Sequence, residues 1–209
     1  WIYPLNLPMR TYQHSIVSEA LTKNTLVCLP TGLGKTFIAA VVMYNFRRWF
    51  PDGLVLFMAP TKPLVAQQIE ACRALVGMSY GDSAELTGKM PKAEREKVWQ
   101  QAHTFFLTPQ TAQNDIELGI CPVRRVVCVV IDEAHRATGN YAYCGVVKAV
   151  NAATAGRFRC LALSATPGKD VKTLQAIVEN VLVAHIEFRD EDSADVMTYT
   201  HHKEIQVMI

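Results

Sequence analysis

The chain has 209 residues, of which 50% are hydrophobic and 19% are charged, so it can bury a substantial core and does not have a disordered composition. Lys and Arg total 21 against 19 Asp and Glu, for a net charge of +2. This near-neutral balance gives no general attraction to nucleic acid, so a site for a polyanion must be local and built partly from backbone donors.

The cysteines and the hydropathy pattern indicate the cellular compartment in which the protein works. The 6 cysteines form no C-x-x-C pair and no zinc-ligand spacing, and several lie in apolar runs, which predicts reduced, buried thiols in the cytosol or nucleus. No signal peptide is visible, and the longest apolar run, residues 37–44, is too short to cross a membrane. Because Trp1 is not an initiator methionine and residues 204–209 look like a strand without a stop signal, we expect both ends to lie inside a longer protein.

Short apolar runs alternate with helical patterns from end to end. Most runs are continuously apolar, which is typical of parallel strands covered on both faces. The predicted strands are residues 25–30, 54–60, 84–88, 104–109, 126–132, 159–166 and 185–189. The alternation predicts a single α/β domain over residues 1–209, with a mostly parallel sheet of about seven strands and helices on both faces.

Four helices are predicted between these strands. Residues 36–50 are apolar nearly all round, as in a helix packed deeply on a sheet, and residues 62–76 and 171–182 repeat apolar side chains at helical spacing. Residues 91–102 are mostly polar, which predicts a surface helix with Pro91 in its first turn. Polar motifs follow five of the predicted strands, and ligands of such sheets bind at the carboxyl ends of the strands.

Residues 30–36, PTGLGKT, follow the first strand and open an apolar helix. Such a loop aims backbone N–H groups at phosphate oxygens, Gly32 and Gly34 permit the close approach, Lys35 reaches the β- and γ-phosphates and Thr36 is a Mg²⁺ ligand. The strict G-x-x-x-x-G-K-S/T pattern is not met, because Leu29 occupies the first glycine position. The predicted nucleotide-binding residues of this loop are Thr31, Gly32, Leu33, Gly34, Lys35 and Thr36.

Asp132 and Glu133 stand together at the end of the apolar run 126–132. Two adjacent carboxylates are costly to desolvate unless a cation or a reacting water uses them. Asp132 suits the Mg²⁺-holding role of a Walker B aspartate, and Glu133 suits a general base that orients the attacking water. The alternative is a solvated turn of two acids. The functional interpretation requires the glycine loop and the acid pair to lie side by side.

The motifs resemble those of superfamily 2 helicases, in the same order and spacing over essentially the whole chain. Residues 30–36 resemble motif I, residues 59–68 motif Ia, residues 132–135 (DEAH) motif II and residues 164–166 (SAT) motif III. Residues 10–13 resemble the Q-motif. Longer stretches, above all residues 139–143, are similar to the Hef-type family of Fanconi anaemia group M helicases, which are ATP-dependent translocases on branched DNA.

The resemblance implies a RecA-like P-loop NTPase fold and roles for individual residues. Gln13 would bind the adenine edge and Arg10 would stack on its ring, although Gln13 could also be an ordinary surface residue. His135, grouped with the catalytic residues, would hydrogen-bond across to motif III or to the missing domain, unless it is only a residue that starts a helix. Ser164 and Thr166 would couple nucleotide state to domain closure, unless they only end a strand. Sequence-independent contacts to the DNA backbone, or simple caps and turns, are expected at Thr61, Lys62, Thr87, Gly88, Thr108 and Gln110.

The same resemblance implies ATP and Mg²⁺ as cofactors, a nuclear location, a role in DNA repair and no membrane association. It also implies a second RecA-like domain outside this chain, and partners from the Fanconi anaemia pathway that bind through other regions. Superfamily 2 motors hydrolyse ATP between two such domains, so this chain alone should hydrolyse ATP very slowly. Two alternatives remain open at this point: a motor for double-stranded RNA, and a non-catalytic scaffold with a motor fold.

Overall fold

A computed structural model describes residues 1–168 and 170–199 of the chain. Its helices are α1 (Thr11–Thr22), α2 (Lys35–Trp49), α3 (Lys62–Val76), α4 (Lys92–Gln101), α5 (Pro109–Glu117), α6 (Ala142–Thr154) and α7 (Val171–Asn180). Its strands are β1 (Thr25–Cys28), β2 (Leu54–Met58), β3 (Ser83–Leu86), β4 (Thr104–Leu107), β5 (Val126–Ile131), β6 (Arg159–Ser164) and β7 (His185–Phe188). The predicted strand at residues 204–209 lies outside the described residues.

The seven strands form one sheet in the order β3-β4-β2-β5-β6-β1-β7. All six pairings are parallel, which confirms and sharpens the prediction of a mostly parallel sheet. Every residue of β1, β2 and β4 is buried, as continuously apolar runs require. Each strand ends one or two residues earlier than predicted, and where a polar motif follows the strand, that motif already belongs to the loop.

Helices cover both faces of the sheet, as predicted. Alternate strand residues divide between two hydrophobic clusters, with Val27 and Phe57 in the cluster that includes α1, α2 and α3. Leu26 and Leu56, their chain neighbours, lie in the cluster that includes Trp99, α5, α6 and Ile177. This alternation follows from the pleat of the strand, which turns successive side chains to opposite faces.

The four predicted helices are confirmed, with corrections to one of them. Pro91 precedes α4 as its N-cap residue, with ψ 146°, and does not belong to the first turn. The same helix is not purely a surface helix, because Arg95 and Trp99 are buried at 8% and 0% exposure. Their spacing of four residues places both on one face. Helices α1, α5 and α6 were not predicted.

A buried charged cluster anchors α5 against α4. Asp115 on α5 is fully buried and accepts two hydrogen bonds from Nε of Arg95, at 2.8 and 3.2 Å, and one from Nε1 of Trp99 at 2.9 Å. The Arg95 guanidinium also donates to the carbonyl oxygen of Met90. A carboxylate without solvent is tolerated here because its oxygens are hydrogen-bonded to a cation and an indole.

All six cysteines are free thiols, and all but Cys144 are buried. Burial raises the pKa of Cys28 to about 11 and that of Cys160 to about 12, so these thiols stay protonated and unreactive at neutral pH. The prediction of reduced, buried cysteines is confirmed for these positions. In the part of the chain that the structure describes, no helix is both long enough and apolar enough to span a bilayer.

Candidate nucleotide site

The phosphate loop joins the end of β1 to the start of α2. Gly32 and Gly34 have φ values of 87° and 84°, in the left-handed region that glycine adopts at little cost. Gly34 is the N-cap of α2 and no side chain caps the helix, so its first backbone N–H groups are available to an anion. Thr31 is exposed, whereas Leu33 is buried at 3% exposure and anchors the loop in the core.

Lys35 is turned back towards the loop that carries it. Its Nζ atom donates to the carbonyl oxygens of Leu29 at 2.7 Å and Pro30 at 3.2 Å. Burial lowers the pKa of Lys35, and the carboxylates of Glu133 and Asp132 act in the opposite direction. The ammonium group therefore lies within electrostatic range of the two carboxylates.

The acid pair lies at the carboxyl end of β5. Burial raises the pKa of Asp132, although the backbone N–H of Glu133 donates to its Oδ1 at 3.0 Å and partly offsets this. The Tyr143 hydroxyl donates to the backbone oxygen of Asp132 at 2.6 Å. Glu133 itself has φ 51° and ψ 48°, a conformation that is uncommon outside glycine and concentrates at functional sites. The pair is therefore a constrained arrangement and not a solvated turn.

The glycine loop and the acid pair follow two strands that are separated by one strand, so they lie neither far apart nor on opposite edges of the sheet. Strand β6 lies between β1 and β5, and its last residue, Ser164, bridges them. The Ser164 carbonyl accepts from the N–H of Leu29 at 3.1 Å, and its Oγ lies 3.3 Å from Nδ1 of His135. The same imidazole nitrogen lies 3.3 Å from Oε2 of Glu133.

The other residue of the predicted coupling pair also contacts Ser164. The backbone N–H of Thr166 donates to Ser164 Oγ at 3.3 Å. Ser164 is 1% exposed, whereas Thr166 is exposed to solvent. The structure therefore brings Lys35, the acid pair and His135 together around the end of β6, with Thr166 on the outer side.

The predicted base-binding residues approach the phosphate loop from α1. Gln13 is buried at 6% exposure, and its Nε2 donates to the Leu33 carbonyl at 3.1 Å. The Tyr12 hydroxyl donates to the same oxygen at 2.8 Å. Arg10 and Gln13 line one pocket of about 360 Å³ together with Gly34. Gln13 is therefore not an ordinary surface residue.

Gly34→Ala is expected to weaken ATP binding by about tenfold or more. The added Cβ would stand 2.1 Å from Nε2 of Gln13, and φ 84° is unfavourable for alanine. Gly77→Ala is the matched control, because Gly77 also has a positive φ of 65° but no atom within 4 Å of an added Cβ. A nucleotide titration beside a thermal unfolding curve should show both variants destabilised and only Gly34→Ala impaired in binding. Equal binding by the two variants would count against the site.

The residues expected to contact DNA follow three adjacent strands. The order β3-β4-β2 brings the ends of those strands into one row that leads to the acid pair at the end of β5. Thr61 is the N-cap of α3, and the Thr108 hydroxyl accepts from the N–H of Thr111 at 3.4 Å as the N-cap of α5. The exposed members of the row are Thr61, Lys62, Gly88 and Gln110, and the half-buried members are Thr87 and Thr108.

Four residues near these sites were missed by sequence reasoning. Tyr12 lies inside the segment that resembles the Q-motif, and Tyr143 lies inside residues 139–143. The sequence indicated no separate role for either side chain. Asp115 had no sequence signal, because α5 itself was not predicted. Tyr199, which lines the base pocket, lies 186 residues from Gln13 in the chain and had no sequence signal.

No group of three or more His, Cys, Asp or Glu side chains with a metal-binding arrangement occurs among residues 1–168 and 170–199. Mg²⁺ does not require one, because it commonly keeps several waters and binds through one or two protein groups plus substrate phosphates. Thr36 at the start of α2 and the buried carboxylate of Asp132, directly after β5, provide such a limited set. The residues present therefore fit a magnesium ion that arrives with a nucleotide.

The fold and the site together define a RecA-like domain of the helicase type. The sheet is parallel with helices on both faces, a glycine loop opens a helix, and one strand separates that loop's strand from the strand that precedes the acid pair. Residues 10–174 match the model of the DEAD/DEAH box helicase family, and the chain belongs to that family.

Two curated relatives and one solved structure agree with this placement. The chain is 53% identical over 209 residues to the Fanconi anemia group M protein homolog of Mus musculus, covering 100% of this chain and 10% of the relative. It is 51% identical to the ATP-dependent DNA helicase fml1 of Schizosaccharomyces pombe, covering 98% of this chain and 24% of the relative. The Pyrococcus furiosus Hef helicase domain superimposes with a TM-score of 0.87 at 37% identity, over 93% of this chain and 41% of that one. The chain thus spans a minor part of the relatives it matches.

Proposed function

We propose that the chain is the ATP-binding first motor domain of an ATP-dependent DNA translocase or helicase that acts on branched DNA, such as replication forks and junctions, in DNA repair. The observation that carries the proposal is the arrangement around Ser164, which connects the loop of Lys35 to His135 and the acid pair. Relatives named as DNA helicases and as Fanconi anaemia group M proteins support the DNA substrate.

The chemistry is in-line attack of water on the γ-phosphate of ATP. Backbone N–H groups of residues 31–36 hold the phosphates, and the Lys35 ammonium neutralises their charge. Thr36 and Asp132 would hold Mg²⁺, which supplies further positive charge to the phosphate oxygens when bound. Glu133 orients the attacking water and accepts its proton. Burial of Asp132 strengthens its electrostatic effect, because the surrounding dielectric is low.

Coupling to movement would pass through His135, Ser164 and Thr166. The serine hydroxyl contacts both the imidazole of the acid motif and the backbone of Thr166. A change in the position of the acid pair on hydrolysis therefore reaches an exposed residue at the edge of the site. In a two-domain motor this edge would face the second RecA-like domain.

The row of residues after β3, β4 and β2 would hold the DNA. Hydroxyls, one lysine and backbone amides contact phosphates without reading bases, which suits a motor that grips any sequence and releases it. Nuclear location, and association with other Fanconi anaemia pathway proteins through regions beyond this chain, belong to the same proposal. They rest on the similarity to the longer relatives.

The proposal is tested by comparing the 209-residue chain with the same protein extended through a second RecA-like domain. We expect the short chain to bind ATP with Mg²⁺ but to hydrolyse it very slowly, because arginines from a second domain contribute about 10³–10⁵ in rate in related NTPases. The extended protein should show ATP hydrolysis stimulated by fork DNA. A coupled assay of phosphate release measures ATP hydrolysis by both proteins, and a nucleotide titration measures ATP binding.

Two further measurements separate the alternative functions. Duplex RNA replaces fork DNA in a parallel titration, and stimulation by RNA alone would favour the double-stranded RNA motor. Nucleotide binding that is unaffected by Lys35→Ala would favour a non-catalytic scaffold. Rapid DNA-stimulated hydrolysis by the short chain would contradict the requirement for a second domain.

A further inference from the structure

The segment that follows β7 returns to the nucleotide side of α1. Val196 is fully buried in the same hydrophobic cluster as Ile16 of α1. The Arg189 guanidinium donates to Asp195 at 2.9 Å and to Glu187 at 3.1 Å, which fastens the turn between β7 and Val196. A short 3₁₀ helix, Met197–Tyr199, then follows. The position of Tyr199 is therefore supported by buried and charged contacts on the residues just before it.

The Tyr199 ring stands at the mouth of the base pocket. The guanidinium carbon of Arg10 lies 4.7 Å from the centre of the ring, and the Tyr12 ring lies 5.7 Å away, centre to centre. Tyr199 lines the same pocket as Arg10 and Gln13, yet it is 37% exposed. A half-open aromatic ring with a guanidinium over its face is a surface on which a planar ring can stack.

We propose that Tyr199 positions the nucleobase: its ring forms the outer wall of the base pocket and holds the Arg10 guanidinium flat against the base. The inference rests on the proposed ATP-binding function and deepens it. Gln13 sits between the wall and the phosphate loop, since it is bonded to the Leu33 carbonyl. A base that enters the pocket thus has its edge near Gln13 and its face against the stacked pair.

A second pair of an arginine over a tyrosine ring lies outside the base pocket and serves as a control. The Arg73 guanidinium carbon lies 4.0 Å from the centre of the Tyr80 ring, and Tyr80 is 72% exposed. Neither residue lines the base pocket. Tyr80→Ala therefore removes the same kind of contact without removing a wall of the nucleotide site.

The test compares the affinity for ATP with that for inorganic tripolyphosphate, both with Mg²⁺, in the 209-residue chain. Tyr199→Ala should weaken ATP binding by about fivefold to thirtyfold, because it removes stacking on the base and on Arg10. Tripolyphosphate has no base, so its affinity should stay within about twofold. Tyr199→Phe keeps the ring and should bind ATP nearly as the unchanged chain does, as should Tyr80→Ala.

A double-mutant cycle with Arg10→Ala checks that the two residues act together. The combined variant should lose less ATP affinity than the product of the two single losses, because each removes part of the same stack. Unchanged ATP affinity in Tyr199→Ala, equal loss of ATP and tripolyphosphate, or fully independent effects would each overturn the inference. An unchanged chain that binds neither ligand would overturn the proposed function itself, and this inference with it.

Discussion

In the protein extended by its second motor domain, Glu133→Gln is expected to lower DNA-stimulated ATP hydrolysis by about 10²–10⁴-fold and to leave ATP binding nearly unchanged. Glutamine retains the size of the side chain but cannot accept the proton of the attacking water. The left-handed backbone of Glu133, with φ 51°, and the imidazole 3.3 Å from its Oε2 hold the carboxylate in one region. Single-turnover kinetics with ATP separates the chemical step from binding.

Glu96→Gln is the matched control for this substitution. Glu96 is an exposed residue of α4, so its change removes one negative charge without touching the site and should leave the rate within about twofold. If Glu133→Gln retained full hydrolysis, another group would have to act as the base. If it abolished ATP binding as well, its role would be structural.

Asp115→Ala is expected to lower the free energy of unfolding by about 3–5 kcal/mol. The substitution leaves the Arg95 guanidinium, which is 8% exposed, without its carboxylate, and it leaves the Trp99 N–H without an acceptor. An uncompensated buried charge costs far more than the loss of a surface ion pair. Urea denaturation followed by circular dichroism measures the change.

Glu70→Ala provides the comparison for a surface pair. Glu70 and Arg73 also form an ion pair, at 2.8 Å, but the glutamate side chain is 61% exposed. Its loss should cost no more than about 1 kcal/mol. Equal destabilisation by the two substitutions would show that the Asp115 cluster does not anchor α5. If the Asp115→Ala variant still folds, DNA should stimulate its ATP hydrolysis less strongly, because Thr108 is the N-cap of α5 and Gln110 lies in its first turn.

Strands β1, β2 and β4 were predictable because strands that are buried on both faces have continuously apolar sequences. A strand such as β2, which is buried at every position, cannot alternate with polar residues, so its apolar run stands out. The loop of residues 30–36 was equally predictable, since only glycine readily adopts the φ values seen at Gly32 and Gly34. The helices that were missed lack such marks. Helix α1 follows a segment without a side-chain cap, and α5 begins at a proline that also suits the end of a strand.

The candidate site was predicted residue by residue but not as an arrangement. Lys35, Asp132 and Glu133 were all expected near a nucleotide, yet the strand between their loops was not anticipated. Strand order depends on which crossover helices cover which face, and single-sequence periodicity carries no information on that. The contact of Ser164 with the Leu29 backbone exists only because β6 lies beside β1.

The sequence by itself determined the fold class, the phosphate loop, the acid pair and the family resemblance, because each depends on residue types at short spacing along the chain. Only the tertiary structure decided the strand order, the burial of the Arg95–Asp115 pair and the position of Tyr199 over the base pocket. Those features depend on residues far apart in the chain. Their contacts form when the two faces of the sheet are covered, and the pattern around either partner does not encode them.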